Sequence, residues 1–285
     1  MILIADGGST KSNWCLVNYP KAPVFFNTEG YNPYFVDSPT IVASLNAQLP
    51  DNLDKAAVQE VYYYGAGCSV QEKIDIVAKA MQTVFVNAKI HVGHDLLCAA
   101  RALLGKDSGF AAILGTGTNT CLYDGKDITL NIDSLGYFLG DEGSGSFIGK
   151  RLLRDYMRNY LPEQMQKNFQ ETFGLSNEDI FDNLYNKPLP NRFLASFSKF
   201  VYDNNNFSYS REIVKEGFQV FFKNLVMHYP DYHKYTFNCI GSVGYNFRDV
   251  LGEVSIENNM RVGKIIRSPI DDFSHLHIVF NTYFT

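Results

Sequence analysis

The chain has 285 residues, with 25 Lys or Arg against 30 Asp or Glu, a formal charge of −5 with histidines neutral. A composition of 46% hydrophobic and 19% charged residues excludes a disordered chain, and at roughly 150 residues per domain the length points to two domains. The mild acid excess excludes the basic face that a nucleic-acid binder or a polybasic membrane binder needs, so neither partner is expected.

The first apolar run, residues 2–5, ends at Asp6-Gly7-Gly8 and reads as a strand entering a tight turn, with residues 13–17 returning as a second strand. The spacing predicts helices over 38–49 and 70–83, with a strand at Val61-Tyr62-Tyr63-Tyr64 between them. A short strand over 90–92, a helix over 96–104 and a strand over 110–114 follow, the last ending in Gly115-Thr116-Gly117-Thr118-Asn119. From about 145 to 235 helical patterns dominate, notably 145–160 and 209–228, before strand character returns at 236–240 and runs into Gly241-Ser242-Val243-Gly244. Strands, glycine turns and helices in alternation indicate an α/β architecture. Two lobes are expected, residues 1–109 and 110–285, with the helix-rich stretch inserted in the second.

A shift of 106 residues places Thr10 on Thr116, Ser12 on Thr118, Asn13 on Asn119, Cys15 on Cys121 and Leu16 on Leu122. Both copies follow an apolar strand and a glycine turn, which points to a duplicated strand–turn–strand device and two loops that clamp one nucleotide.

Five cysteines (Cys15, Cys68, Cys98, Cys121, Cys239) are odd in number, widely spaced and without a C-x-x-C pair. That excludes a dense disulfide framework and fits a reducing compartment. The apolar start is too short for a signal peptide, and no stretch approaches the roughly 20 apolar residues of a membrane span. A soluble, cytoplasmic chain is expected.

Glycines at 7 and 8 let the backbone approach an anion, Ser9, Thr10 and Ser12 add hydroxyls, Lys11 adds a charge, and Asp6 could hold Mg²⁺ through water. Read alone, the same segment fits an ordinary hairpin turn equally well, and so does 115–119. Neither loop is a P-loop or a Rossmann fingerprint. Asp95 stands at a strand-to-helix junction, where a carboxylate serves as a helix-terminal charge or as a general base that takes the proton of a hydroxyl. Asp141-Glu142, inside the densest glycine segment (136–145), offers acceptors for sugar hydroxyls or simply favours the first turn of a helix. His91 and His94 have no ligand-type cluster around them and read as structural.

In this order the segments Asp6–Ser12, Gly30-Tyr31-Asn32-Pro33, Gly93-His94-Asp95, Gly115–Asn119, Gly136–Ser144 and Gly241-Ser242-Val243 resemble the N-acetylglucosamine kinase-like branch of the sugar kinase, heat-shock chaperone and actin superfamily, which also holds ATPases that activate radical dehydratases. The resemblance implies two actin-like lobes with duplicated ribonuclease-H-like cores closing around MgATP. It further implies Asp6 as the Mg²⁺-associated carboxylate, and Gly7, Gly8, Ser9, Thr10, Lys11, Gly115, Thr116 and Gly117 near the phosphates. Asp95 becomes the base, Asn32, Thr116, Asp141 and Glu142 bind the sugar, and Gly241 and Ser242 lie near the adenosine. The expected activity is ATP-dependent phosphorylation of an amino sugar, N-acetylglucosamine at its 6-hydroxyl first, by an enzyme whose default oligomer is a homodimer. Two rivals share the fold: an activating ATPase, for whose iron–sulfur cluster only Cys98 and Cys121 offer thiols, and a non-catalytic sugar- or nucleotide-binding regulator. The segment after Ser268-Pro269-Ile270 follows the family's closing segment only in part, and the last eight residues read as a strand or extended tail without a site.

Overall fold

The computed structural model describes residues 1–8, 10–18 and 20–269; the expectations for Ser9 and for the closing tail therefore lie outside the described residues. The chain divides into two units, one running to Gly105 and taking up the chain again at Ser268, the other spanning Lys106–Arg267. The α/β, actin-like architecture with duplicated cores is present.

In the first unit, β1 (Ile2–Gly7), β2 (Lys11–Val17) and β3 (Val24–Glu29) form an antiparallel meander. Helix α1 (Ser38–Gln48), capped by the Asp37 carboxylate on Thr40 N–H, leads to β4 (Glu60–Gly65). Helix α2 (Gln71–Val84) leads on to β5 (Lys89–His94), and β5 passes into α3 (Asp95–Leu104) with no intervening residue. The sheet order is β3-β2-β1-β4-β5, with β1, β4 and β5 parallel. One face buries Leu3, Ala5, Trp14, Val61 and Tyr63 with the apolar sides of α1 and α2. Trp14 is fully buried, stacks on Phe26 and donates from its indole N–H to Thr28 Oγ1 at 2.9 Å, so its polar atom carries no desolvation penalty. The other face holds Ile4, Cys15, Tyr62, Tyr64 and Cys98 of α3. The tyrosine run 62–64 thus alternates across the sheet as a strand must.

The second unit repeats the plan. Strands β6 (Gly109–Leu114), β7 (Thr118–Tyr123) and β8 (Ile128–Asn131) form the meander. Between β8 and β9 the chain runs through α4 (Gly136–Leu139), α5 (Gly145–Met157), α6 (Glu163–Phe173), α7 (Asn177–Tyr185), α8 (Pro190–Asp203) and α9 (Ser208–Asn224). Then come β9 (Thr236–Ile240), α10 (Ser242–Asn246), α11 (Arg248–Glu257) and β10 (Arg261–Ile266). The order β10-β9-β6-β7-β8, with β6, β9 and β10 parallel, matches the first sheet strand for strand. Where the first unit places one helix, the second places the helix-rich insertion expected from the sequence. Its core is strongly aromatic: Phe110, Phe169, Phe197, Phe218, Phe221, Phe222 and Phe237 are all fully or almost fully buried. Each such ring contributes about 1.5–3 kcal/mol by leaving water.

The pairing register refines the repeat. Gly7 faces Ser12 across the first hairpin, whereas Leu114 faces Thr118 across the second, so the first turn carries one extra residue. Among the described residues no helix is long and apolar enough to cross a membrane, and all five cysteines are free and buried.

Helices α5 and α8 cross at Gly149, where an added Cβ would meet the Leu194 carbonyl oxygen at 1.9 Å. Gly149→Ala is expected to force the pair apart, lowering stability by about 1–3 kcal/mol, and a fall in Tm by differential scanning calorimetry checks this.

Candidate functional site

In the first unit the carboxyl ends of β1, β4 and β5 lie level, because Gly7 pairs with Gly65 and Gly65 with His94. Loops at this end of parallel strands are where α/β sheets bind ligands. Asp6 and the β5–α3 junction sit two strand spacings apart, about 10 Å. Their closeness to one helix is electrostatic as well: burial pushes the Cys98 thiol up, and the charges of Asp6 and Asp95 push it further.

Asp95 opens α3. Its Oδ1 accepts the Leu96 N–H at 2.8 Å, and the same N–H is 3.1 Å from His94 Nδ1, so both side chains serve the helix terminus. Asp95 is thus the first residue of α3, a charge at the helix terminus beside the His94 cap, and its Oδ2 has no hydrogen bond among the described residues. Burial raises the Asp95 pKa above its ordinary value, against the pull of His94 and the Leu96 N–H. Cys68 lies close enough for the Asp95 charge to join burial in pushing its thiol to about 12.

Two glycines keep this edge open to the backbone. A Cβ on Gly7 would meet Tyr63 Oη at 2.2 Å, and one on Gly65 would meet the other side of the same ring at 2.3 Å. Ala66 N–H donates to Gly7 O at 2.7 Å and Gly30 N–H to Thr10 O at 3.1 Å, which ties the hairpin to two neighbouring loops. Asn32 belongs to one of them: its Oδ1 accepts Tyr34 N–H at 3.0 Å, and Gly67 of the other loop lies directly against it. Asp6, Gly7, Gly8, Thr10, Asn32 and Asp95 are thus gathered at one end of the first sheet. Lys11 begins β2 and is exposed. Sequence reasoning missed Ser268, whose hydroxyl donates to Asp6 Oδ2 at 3.3 Å. Nothing local signals a contact between residues so far apart in the chain.

In the second unit the hairpin Gly115-Thr116-Gly117 is bound to the start of α5: Gly145 N–H donates to Gly115 O and Ser146 N–H to Thr116 O. Asp141 closes the same cluster. Its Oδ1 accepts Thr118 N–H at 2.9 Å, and a Cβ on Gly117 would touch the carboxylate at 2.9 Å. Thr118 Oγ1 donates to Glu142 O at 2.7 Å, while the Glu142 carboxylate accepts Asn224 Nδ2 at 2.8 Å. The helix-start reading of Asp141-Glu142 is corrected, since α5 begins at Gly145 with Ser144 as its cap and both acids precede it. Asp141 has φ 53°, a left-handed conformation that costs an aspartate on the order of 1 kcal/mol and persists where surrounding bonds enforce it. Gly241, at φ 126°, packs against the Leu114 carbonyl, so it and Ser242 lie beside the hairpin at the carboxyl end of β9.

Among the described residues no three His, Cys, Asp or Glu side chains cluster to cage a metal. Mg²⁺ needs no such cage, because it keeps several waters and binds through one or two carboxylates together with phosphates. Asp6, half-buried at a strand end with a hydroxyl beside it, fits that mode. Cys98 and Cys121 are buried, and burial pushes Cys121 to about 12, so neither thiol is presented for a cluster shared with a partner chain.

No protein-family model matches the sequence, and no curated protein does either. Among solved structures, a Porphyromonas gingivalis protein provisionally named an N-acetylglucosamine kinase is 35% identical over 99% of this chain and 100% of its own, with a TM-score of 0.91. A Chromobacterium violaceum protein of the same provisional name is 15% identical over 98% of each chain, with a TM-score of 0.68. MreB 5 of Spiroplasma citri bound to AMPPNP shares the fold at 10% identity, covering 98% of this chain and 95% of its own, with a TM-score of 0.57.

Burial lifts the Asp141 carboxyl from 3.8 to about 6, the Thr118 N–H opposing it. A raised folded-state pKa contributes stability in full below the unfolded value and loses it as pH climbs through the folded one. Between about pH 4 and about pH 7 the protein is expected to lose up to roughly 3 kcal/mol relative to Asp141→Asn, which cannot titrate. Parallel thermal unfolding of both proteins across that range measures the difference.

Proposed function

Because the chain belongs to the N-acetylglucosamine kinase-like branch of the sugar kinase, heat-shock chaperone and actin superfamily, we propose that it transfers the γ-phosphoryl group of ATP to the 6-hydroxyl of N-acetylglucosamine. The observation that carries this reading is the Asp95 carboxylate, set just past the end of parallel strand β5 on the sheet face that also carries Asp6, with one oxygen fixed by Leu96 N–H. Fixing one oxygen orients the group, and the other is left to accept a proton. A pKa lifted by burial makes the carboxylate a stronger base than a solvated aspartate.

Phosphoryl transfer asks for positioning and charge stabilisation more than covalent help. Asp95 takes the proton of the attacking hydroxyl. Asn32, Thr116, Asp141 and Glu142 orient the sugar, the two acids as acceptors of its hydroxyls. Gly7, Gly8, Ser9, Thr10 and Lys11, with Gly115, Thr116 and Gly117, approach the phosphates through backbone N–H groups and hydroxyls, and Gly241 and Ser242 border the adenosine. Asp6 would hold Mg²⁺, which when bound neutralises charge on the β- and γ-phosphates. Five free thiols fit work in the reducing cytoplasm.

Asp95→Asn keeps the shape and the Leu96 bond but cannot take a proton. Its kcat is expected to drop about 10²–10⁴-fold with sugar affinity held, read by coupled ADP release and by titration calorimetry with N-acetylglucosamine. Turnover near that of the parent would remove Asp95 from this role.

A further inference from the structure

Between α5 and α9 the second unit has an open groove of about 360 Å³, on whose walls Arg154, Arg158, Glu212 and Glu216 are exposed to solvent. Its volume falls in the range of small-molecule sites, roughly 300–1,000 Å³. Three arginines of α5 and its end reach it, Arg151, Arg154 and Arg158, at the i, i+3 and i+7 spacing that puts them on one helix face.

Their positive charges are unequally satisfied. Arg151 is consumed: Nε donates to Asp155 Oδ2 at 2.7 Å, and one terminal nitrogen donates to both Glu216 oxygens at 2.7 and 2.8 Å. Asp155 is itself buried, accepting also from Tyr209 Oη at 2.9 Å and from Arg154 Nε at 3.3 Å. That last contact orients the guanidinium of Arg154, whose terminal nitrogens have no acceptor among the described residues. Arg158 has no ion pair or hydrogen-bonded acceptor among the described residues, and Glu212 lines the rim likewise unpaired.

A single arginine at a helix C-terminus is explained by the helix dipole. A second, four residues earlier on the same face, adds like-charge repulsion of a few tenths of a kcal/mol. An anion bridging the two removes that repulsion, and a planar guanidinium already held by a buried carboxylate is pre-organised to bind one. Glu216 is neutralised by Arg151, whereas Glu212 in the same lining opposes a bare anion, and a ligand whose hydroxyl donates to Glu212 turns that carboxylate into a partner.

We propose that this groove binds a sugar phosphate, its phosphomonoester held by Arg154 and Arg158 and its hydroxyls by Glu212. The site lies at the opposite end of α5 from Gly145 and Ser146, whose N–H groups hold the Gly115–Gly117 hairpin, about 18 Å away along 13 residues of helix. Binding here needs no turnover at Asp95, so its test stands apart from that of the kinase reading.

The test is hydrogen exchange of the full chain with millimolar glucosamine 6-phosphate as probe, followed by peptide mass. Saturable slowing is expected in peptides covering 151–160 and 209–216. Arg154→Ala/Arg158→Ala should weaken that protection roughly tenfold or more. Arg158→Glu, which breaks no side-chain hydrogen bond or ion pair among the described residues, should abolish it with the fold retained by circular dichroism and Tm lowered only by the small helix-dipole contribution. Absence of protection in those peptides, or protection equal in the parent and Arg158→Glu, overturns the assignment. Equal protection by inorganic phosphate at the same concentration overturns the recognition of the sugar.

Discussion

The candidate site rests on one constraint, the level alignment of three parallel strands around a single buried ring. Tyr63 fills the space between Gly7 and Gly65, and neither neighbour tolerates a side chain there. With those glycines flush, β1, β4 and β5 end together and deliver Asp6 and Asp95 to the same face of the sheet. A one-residue slip of either pairing would turn an acid toward the α1 and α2 layer, where Trp14, Ile41 and Val77 leave no water. Fold and site chemistry are therefore specified by the same contacts.

The two units use one plan and divide its uses. Across the matched hairpins the position of Asp6 is taken in the second unit by Ile113, so only the first turn has an acid at its base. The first turn is also longer by one residue. The second unit compensates with an acid from elsewhere, Asp141, held against its hairpin by a backbone N–H and a left-handed turn. Burying that carboxylate costs stability, which the aromatic core beneath the helical insertion offsets.

Much of this was legible in the sequence for identifiable reasons. The inner parallel strands of each sheet, β1, β4 and β6, are apolar runs ended by glycine, and the copied Thr-x-Ser/Thr-Asn-x-Cys-Leu segment marks the duplicated hairpin. Strands β3, β8 and β10 went unread because they lie at or beside sheet edges, where exposed Val24, Phe25, Leu130 and Val262 alternate poorly with polar residues. Helices α6 to α8 were blurred by their polar outer faces. Asp141 could be found by its glycine surroundings but not its bond to Thr118 N–H, and Arg154 and Arg158 read as an ordinary solvated helix face. Contacts of that kind join residues through packing that no local pattern announces.

Coupled ADP release from the unmodified protein with MgATP, over a panel of N-acetylglucosamine, N-acetylmannosamine, N-acetylmuramic acid, glucosamine and glucose, addresses the central claim most directly. Release that depends on added sugar, strongest with N-acetylglucosamine and stoichiometric with a 6-phosphomonoester by ³¹P NMR, is the outcome that the geometry around Asp95 calls for. ADP release that no sugar stimulates, or sugar binding without any phosphorylated product, would contradict it.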